Sequence, residues 1–374
     1  MLASAKQDEI AKFRLHAGQV AITKDSETRE DIGHATFIAN DFDDVILGYH
    51  CALITPHAGK LDGQYLNALF RMHYVSDYLS RNAGGSGQRY YLSESAIRSI
   101  PLFLPPINAQ LRIAGVLGSI DEKIELNRKK IAELEALAKT IYDYWFVQFD
   151  FPDKNGKPYK SSGGKMVWND QLKREVPEGW EVEKLGNVAT FTNGINYTNA
   201  DQSGRTYRIV NVRDISASTI YIHEDGLSEV TLPETLADRY LIPDNSIIIA
   251  RSGCPGAIRL LANGENTIFC GFIIVCRPKL LSLRIFLMFC LKSLEGSGAT
   301  HKDSSILNNV SQDMLKRIVL AIPDVRVLKM FNDILSSIMK RIATLQGESS
   351  QVTKLRDTLL PILMNGQVEV ESSK

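Results

Sequence analysis

The chain contains five cysteines, and none of them lies in a metal-binding or redox pattern. Cys51, Cys254, Cys270, Cys276 and Cys290 include no C-x-x-C pair and no companion histidine at the spacing of a zinc site. An odd number of cysteines without a pattern is typical of reduced thiols in the cytoplasm. Their arrangement argues against a zinc module and against a disulfide-stapled secreted domain.

Long apolar runs are also missing. The N-terminal sequence MLASAKQDEI lacks the apolar core of a signal peptide, and the longest apolar run, residues 285–291, is too short to span a bilayer. The 374 residues, of which 44% are hydrophobic and 23% charged, are enough for two or three domains with their own cores. We therefore expect a soluble, cytoplasmic protein of more than one domain.

The motifs of catalytic and cofactor-binding sites are absent as well. The sequence has no P-loop, no H-E-x-x-H and no Asn-Pro-Pro-aromatic sequence for amino-group methylation. The glycine pairs Gly85/Gly87 and Gly296/Gly298 follow helical segments instead of joining a strand to a helix, which argues against a cofactor cradle. We predict no catalytic residues, no metal site and no directly bound cofactor.

Charge is balanced over the whole chain, with 43 basic and 43 acidic residues. A nucleic-acid-binding domain is usually basic, so this balance taken alone argues mildly against DNA binding. The segment from Arg251 to Arg317 departs from it, because that segment contains nine basic and four acidic residues. One part of the chain is thus basic within a neutral whole.

What the chain does contain is one helical stripe written twice, 218 residues apart. The first stripe consists of Ile113, Leu117, Ile120, Ile124, Asn127, Ile131, Leu134, Ala138, Ile141 and Trp145, and the second of Phe331, Leu335, Ile338, Ile342, Leu345, Ser349, Val352, Arg356, Leu359 and Leu363. Alternating steps of four and three predict two long helices that pair along these seams, the first from about Ile107 to Phe146. Asn127 is polar at a seam position, either to fix the register of the pair or as a solvated defect.

The repeat continues upstream of each helix. Residues 13–22 align with 240–249, and Ser93 aligns with Ser311. Gly33 and Gly48 match Gly256 and Gly271 in their spacing. Each copy reads as a turn and an apolar strand, helical segments (62–82; 281–294), a polar loop (84–89; 296–302), a short helix and a strand stopped by prolines (100–106 in the first copy). This order predicts a mixed α+β fold with two globules, each feeding a long helix.

We therefore divide the chain at the stripes and at the change of composition after them. The predicted parts are a first globule (1–105), a long helix (106–149), a linker (150–177), a second globule (178–323), a second long helix (324–366) and a tail (367–374). Trp168, Pro177 and Trp180 are expected to pin the linker to the second globule. The copies are unequal, because about sixty residues, Trp180–Asp238, have no counterpart in the first copy.

Polar, basic and aromatic residues fall on corresponding loops of the two globules. Base reading needs such side chains on exposed loops, with phosphate contacts to hold the register. The candidates are Asn196, Tyr197, Arg205, Tyr207, Arg251, Ser252, His301 and Lys302 in the second copy, and Lys24, Ser26, Gln88 and Arg89 in the first. Each taken alone is also what a solvated surface residue looks like; as a set they favour double-stranded DNA.

The stretch LPPINAQLRIAGVLGSIDEKIELNRKKIAELEALAKTIYDYWFVQFDFPDKNGKPYKSSGGKMVWNDQLKREVPEGWE resembles the central region of the specificity subunit of type I DNA restriction-modification systems, and the end of the chain, LRDTLLPILMNGQVEV, is similar to that family too. The resemblance implies two target recognition domains, each reading half of a bipartite DNA site, and two long antiparallel helices that measure the spacer. It also implies a non-catalytic subunit. Its partners would be two modification (methyltransferase) subunits and restriction (motor-nuclease) subunits, which use S-adenosylmethionine, ATP and Mg²⁺.

The chain departs from the family pattern at its first domain, which lacks what would match Trp180–Asp238. This predicts impaired reading of the first half-site, and self-association of partial subunits as a way to restore two complete domains. A second interpretation is a coiled-coil assembly protein whose globules bind protein partners, since paired helices and zero net charge fit it as well. A third, an autonomous methyltransferase or nuclease, has no motif in its favour.

Overall fold

A computed structural model describes residues 6–87, 89–197, 204–295 and 310–368. The chain divides into two compact units, which we call unit 1 (Met1–Leu126 with Ser349–Lys374) and unit 2 (Asn127–Glu348). Both combine helices with sheets, as the sequence predicts. The two longest helices each contribute one part to each unit.

Unit 1 is built from short strands, short helices and parts of the long helices. Its helices are α1 (Gln7–Phe13), α2 (Gly63–Leu69), α3 (His73–Asn82), α4 (Glu94–Arg98) and the first part of α5 (Ile107–Tyr142). Its strands are β1 (Val20–Thr23), β2 (Asp25–Ser26), β3 (Ala35–Phe37), β4 (Cys51–Ile54), β5 (Gly84–Ser86) and β6 (Arg89–Tyr91). The polar loop predicted at 84–89 is therefore largely a small hairpin.

One face of the main sheet of unit 1 carries the core. Its strands lie in the order β3-β1-β4, all antiparallel, and a second sheet has the order β2-β6-β5. Val20 and Ile22 of β1 are buried against Tyr65 and Leu66 of α2, whereas Ala21 between them is half-buried. This alternation is what a strand shows when one face of its sheet is covered.

Unit 2 contains more strands and a further layer. Its strands are β7 (Met166–Asn169), β8 (Arg174–Pro177), β9 (Glu181–Lys184), β10 (Ala189–Asn193), β11 (Arg205–Val210), β12 (Ser228–Leu232), β13 (Ile247–Ala250), β14 (Ile258–Arg259), β15 (Thr267–Phe269), β16 (Ile273–Pro278) and β17 (Val319–Ile322). Its helices are α6 (Leu185–Val188), α7 (Val212–Ser216), α8 (Glu234–Ala237), α9 (Arg284–Lys292), α10 (Gln312–Arg317) and the first part of α11 (Val325–Met364).

The central sheet of unit 2 is covered on both faces. Its order is β10-β16-β13-β14, and a second sheet, β12-β11-β15, lies over one face. Ile247 and Ile249 of β13 belong to the core cluster that includes the long helices, whereas Ile248 and Ala250 pack in the cluster formed with β11. A continuous run of buried aliphatic residues is typical of a strand between two layers.

The long helices pair along the predicted seams, and within each unit the pairing is antiparallel. In unit 1, Leu117 of α5 shares a core with Leu360 of α11, and Arg356 donates to Asp121 at 3.0 Å. In unit 2, an aromatic contact joins Trp145, in the π-helical turn 143–147 after α5, to Phe331. All positions of both stripes are buried or half-buried, which confirms the 4-3 pattern.

Asn127 is the polar seam residue, and it is fully buried. Its Nδ2 donates to Oε2 of Glu348 at 3.4 Å, and its Oδ1 has no hydrogen-bond partner. Burial rules out the solvated defect. A buried amide that bonds to one residue of the facing helix favours one register over its neighbours, as the first alternative predicts.

The predicted linker, 150–177, is a packed part of unit 2. Phe151 stacks on Tyr159 and on Trp180, with ring centroids 4.7 and 5.3 Å away, and strands β7 and β8 form a hairpin. Pro177 and Trp180 are buried, as predicted, but Trp168 is 57% exposed, so its pinning role was wrong. The glycine and lysine content of this segment predicted an unpacked linker, but a few aromatic side chains pack it into unit 2.

The strand predicted at 100–106 is wrong for unit 1. Those residues are extended but belong to no strand, whereas the corresponding segment of unit 2 is β17, which pairs with β9. Since no described residue of unit 1 provides a strand like β9, the segment has no ladder to join.

Two kinds of feature are absent from the described ranges. No helix there is both long and apolar enough to cross a membrane. In the same ranges, no three His, Cys, Asp or Glu side chains are grouped so that they could hold a metal ion. The five cysteines are free thiols, of which Cys270 and Cys276 are buried.

Candidate nucleic-acid interface

The main chain of Arg251 is held from both sides at the end of strand β13. Its N–H donates to the carbonyl of Phe272 at 2.8 Å, and its carbonyl accepts from the N–H of Val310 at 3.0 Å. We call this pair of bonds the main-chain clasp. It fixes where the Arg251 side chain starts, without using that side chain.

Unit 1 contains the same clasp. The N–H of Lys24 donates to the carbonyl of His50 at 2.9 Å, and the carbonyl of Lys24 accepts from the N–H of Leu92 at 2.8 Å. Lys24 therefore corresponds to Arg251, as predicted from the sequence. The corresponding short helices also share their caps, since the hydroxyls of Ser93 and Ser311 both accept an N–H three residues on.

A glycine turn follows each clasp. Gly33 and Gly256 have φ angles of +81° and +80°, and their N–H groups donate to Thr23 and Ala250, both at 2.9 Å. Only glycine adopts this conformation without strain, so this match is confirmed.

The second predicted glycine match is off by one residue. The bond from Cys51 to Gly48 corresponds to the bond from Ile273 to Cys270, so the counterpart of Gly271 is Tyr49.

Two cavities in unit 2, of about 300 and 290 Å³, share Arg251 in their walls. The first is lined by Asn193, Arg251, Ser311, Gln312 and Asp313, and the second by Asn196, Arg251, Ser252, Gly271 and Phe272. We define the Arg251 cluster as Asn193, Asn196, Arg251, Ser252, Phe272 and Gln312. It combines a guanidinium, three carboxamides and a hydroxyl, the groups that read base edges.

The charge of Arg251 is available to a ligand. Its side chain is half-buried, and no described carboxylate forms an ion pair with it. Asp313 shares the first cavity but lies 3.6 Å from the ammonium of Lys316, so its charge is partly balanced. A half-buried guanidinium that no described residue pairs with favours an anionic or acceptor-rich ligand.

The loop after β10 positions Asn196 beside Arg251. Gly194 donates to Ile273 at 3.1 Å, and a Cβ on this glycine would lie 2.1 Å from the carbonyl oxygen of Cys270. The side chain of Asn196 occupies the space above Gly271, since its Oδ1 lies 1.9 Å from the position of a Cβ there. Close backbone contact thus requires Gly194 and delivers the Asn196 amide. Tyr197, next in the chain, is half-buried.

Phe272 and Gln312 belong to the cluster although the sequence did not single them out. Phe272 is 60% exposed at the start of β16, and Gln312 opens α10. Within the run GFIIVC, Phe272 looks like a core residue. Its position opposite Arg251 could have been found only from the clasp.

The corresponding surface of unit 1 carries the Lys24 cluster, which we define as Lys24, Asp25, Tyr49, His50 and Arg89. The Lys24 ammonium lies 4.8 Å from the centroid of the Tyr49 ring, a cation–π contact, and that ring is 80% exposed. Arg89 pairs with Asp25 at 3.1 Å. A hydrogen bond from His50, with the guanidinium of Arg89, holds the pKa of Asp25 below its usual range.

Four other predicted site residues belong to neither cluster. Ser26 is half-buried in β2, and its Oγ accepts from the N–H of Thr28 at 3.3 Å. Gln88, His301 and Lys302 lie outside the described residues. Of the first-copy candidates, the structure thus brings Lys24 and Arg89 together in the Lys24 cluster.

The predicted exposure of Tyr207 is wrong. Its side chain is 3% exposed and packs in the core of β11, because alternate residues of that strand face the interior. Arg205 is exposed at the start of the same strand, where its guanidinium lies 5.9 Å from the Tyr207 ring, and it does not line either cavity.

The basic excess between Arg251 and Arg317 is partly internal. Arg259 is 7% exposed and pairs with Glu295 at 2.9 Å, and Lys292 pairs with the same carboxylate at 3.0 Å. These charges stabilise unit 2, so counting them toward a ligand surface would overstate it.

Comparison with known proteins agrees with this geometry. The family model described as "Type I restriction modification DNA specificity domain" matches residues 3–136 and 177–354. The chain is 26% identical over 332 residues to the type I restriction enzyme MjaIX specificity subunit of Methanocaldococcus jannaschii, covering 85% of this chain and 72% of that protein. It is 22% identical over 401 residues to the type I restriction enzyme HindI specificity subunit of Haemophilus influenzae, covering 92% and 85%.

Among solved structures, the S subunit of a type I restriction-modification system from M. genitalium matches with a TM-score of 0.54 and 17% identity, covering 97% of this chain and 86% of that one. At this identity the likeness bears on the fold, and the family model bears on the family. The chain belongs to the family of type I restriction-modification DNA specificity domains.

Proposed function

We propose that this chain is the sequence-specific DNA-binding subunit of a type I restriction-modification complex, and that unit 2 reads one half of a bipartite site through the Arg251 cluster. The observation that carries the proposal is the half-buried Arg251, fixed by its main-chain clasp and flanked by Asn193, Asn196 and Gln312. Arginine recognises guanine and carboxamides recognise adenine through paired hydrogen bonds in the major groove.

The Lys24 cluster has the right position for the same task but a weaker set of groups. Lys24 takes the place of Arg251, but no described residue of unit 1 corresponds to Asn193 or Asn196. Lysine contributes a point charge and no bidentate pattern. We therefore propose that unit 1 binds DNA mainly through its backbone phosphates and reads its half-site poorly.

The subunit is proposed to act through partners and to be non-catalytic itself. The proposed partners are two modification subunits, which transfer a methyl group from S-adenosylmethionine, and restriction subunits, which use ATP and Mg²⁺. Membership of the specificity-domain family supports this division of labour. No cofactor is assigned to the chain.

The test begins with methylome sequencing of a host with and without the gene, which identifies the target site. Binding of wild-type and Arg251→Ala chains to a duplex carrying that site is then measured across salt concentrations. We expect the substitution to cost about 1–3 kcal/mol, roughly a 5- to 150-fold loss of affinity at fixed salt. Phosphate contacts should make the binding of both proteins fall steeply with salt.

Arg277→Ala is the matched control. Arg277 is an exposed arginine near the end of β16, and it does not line either cavity. It removes the same charge, so a loss restricted to Arg251→Ala isolates the site. If Arg251→Ala binds the target as the wild type does, the reading surface is not the Arg251 cluster.

A further inference from the structure

Within the described residues, strand β4 of unit 1 is hydrogen-bonded along one edge and not along the other. The main-chain N–H and C=O of Thr23 bond on the β3 side of β1, so those of the next residue inward, Ile22, bond to Ala52 of β4. Because main-chain groups alternate in direction along a strand, the N–H and C=O of Leu53 face away from β1. No described residue bonds to the main chain of Leu53. The strand, Cys-Ala-Leu-Ile, carries neither the charge nor the proline that usually protects an open edge.

The extended segment 100–104 is a second open edge. On its inner side, the carbonyl of Phe103 accepts from the Tyr65 hydroxyl at 3.1 Å, and Pro101 has no N–H. The main-chain groups of Leu102 and Leu104 have no partner among the described residues. The side chains of Phe103 and Leu104 are 59% and 46% exposed.

Unit 2 shows what covers these edges. The residue corresponding to Leu53 is Val275, which pairs with Thr192 of β10. The residue corresponding to Leu102 is Leu320, which pairs with Glu183 of β9.

Strands β9 and β10 are consecutive and are joined by the single turn of α6. One segment, residues 181–193, therefore covers both edges in unit 2. The described part of unit 1 offers no such segment.

We propose that unit 1 binds a strand–turn–strand segment of a second polypeptide, with one strand along the outer edge of β4 and the other along residues 100–104. The segment has the pattern of residues 181–193: two short strands and a connecting turn that carries an apolar side chain inward. Leu185 and Ala189 show this in unit 2, where they are 0% and 2% exposed. Strand addition supplies main-chain bonds, and side-chain pockets select the sequence.

A second copy of this chain is not the occupant. Its own residues 181–193 are already paired with β17 and β16, so it would have to open its unit 2 to donate them. The inference concerns a protein surface and does not depend on how unit 2 reads DNA. Its failure would therefore leave the proposed function untouched.

The test is hydrogen–deuterium exchange of the full chain with an added peptide of residues 178–196. At ten times its Kd the peptide should slow exchange at the Leu53, Leu102 and Leu104 amides about tenfold. The same peptide with proline at positions 183 and 192 is the matched control, because it lacks a central N–H facing each of the two edges. It should give no protection.

Two variants of the chain sharpen the test. Leu53→Pro removes a donor that bonds nothing in unit 1, so the fold should persist while protection along β4 is lost. Fusing residues 178–196 to the N-terminus through a Gly/Ser linker raises the local concentration to the order of millimolar.

The proposal is overturned if neither the free nor the fused segment slows exchange, or if slowing occurs only in the fusion, since the edges then accept the segment only from the same chain. It is also overturned if the chain alone is dimeric with both edges protected, because the occupant is then a second copy.

Discussion

Strands β1 and β13 hold the same position in the two units, but they differ in how many of their faces are covered. All four residues of β13 are buried, whereas β1 buries Val20 and Ile22 and leaves Ala21 and Thr23 half-buried. The source of the difference is residues 180–233, which give unit 2 its second layer. No described part of unit 1 takes that place.

Some structural features are common to both units, and others are found among the described residues of unit 2 alone. The main-chain clasp, the left-handed glycine and the serine-capped short helix are present in both units. They belong to the half that packs on the long helices. The asparagines of the Arg251 cluster come from the added half, so the groups proposed to read DNA depend on that half, whereas the three shared features do not.

The largest difference between the two units is expected from a proline at corresponding positions of β16 and β4. In Val275→Pro the lost N–H bonds to β10 in the middle of a sheet, and we expect unit 2 to lose about 3 kcal/mol or more of its free energy of unfolding. In Leu53→Pro the lost N–H bonds nothing described, so the cost should be about 0.5 kcal/mol.

Urea unfolding of Val275→Pro can be followed by tryptophan fluorescence, because Trp145, Trp168 and Trp180 all lie in unit 2. Leu53→Pro is followed by amide exchange in unit 1. Equal losses in the two variants would show that β4 is not an open edge.

A smaller effect is expected from Gly271→Ala. The new methyl group would occupy the position of the Asn196 amide, whereas Tyr49 fills the corresponding position of unit 1, where nothing competes for the space. Because Asn196 is exposed and can swing away, we expect a stability change within about 0.5 kcal/mol. We expect target affinity to fall by about 1 kcal/mol or more. Isothermal titration calorimetry measures the change in affinity, and thermal unfolding of the same preparation measures the change in stability. Unchanged affinity would show that Asn196 is not one of the residues that read DNA.

The smallest effect concerns Asp25→Ser, which gives unit 1 the residue that unit 2 has at Ser252. Arg89 loses its partner, and we expect a loss of less than about 1 kcal/mol at neutral pH. The pKa of Asp25 is lowered in the folded state, so its contribution is full above the unfolded pKa of about 3.9 and is lost as the pH falls through the lower, folded value.

The difference between wild type and Asp25→Ser should therefore shrink at acid pH. Unfolding curves at neutral and acid pH measure it, and a difference that grows toward low pH would contradict the pairing.

Much of the architecture follows from periodicity. The two seams, the start of each long helix and the correspondence of Lys24 with Arg251 are all readable from spacing, because each depends on local sequence or on a repeat of it. The match of Gly48 with Gly271 was wrong because one residue more or less in a turn leaves the glycine spacing intact while shifting the main-chain bonds.

What could not be predicted depends on neighbours distant in sequence. Residues 100–106 and 318–324 have similar sequences, yet only the second contains a strand, since a strand needs another to bond to. Tyr207 could not be assigned to the interior without knowing which face of β11 is covered. Phe272 is exposed although it begins an apolar run, because it lies just before the first residue of β16.

The main-chain clasp has a consequence for how such a protein changes over generations. It holds one residue of each unit by an N–H and a carbonyl, which every residue except proline provides, and that residue is Lys24 in unit 1 and Arg251 in unit 2. Under the proposed function, a point mutation at this position would change the group offered to DNA while both main-chain bonds stay in place. On that proposal, the DNA target could change one side chain at a time while the backbone that presents the side chain stays the same.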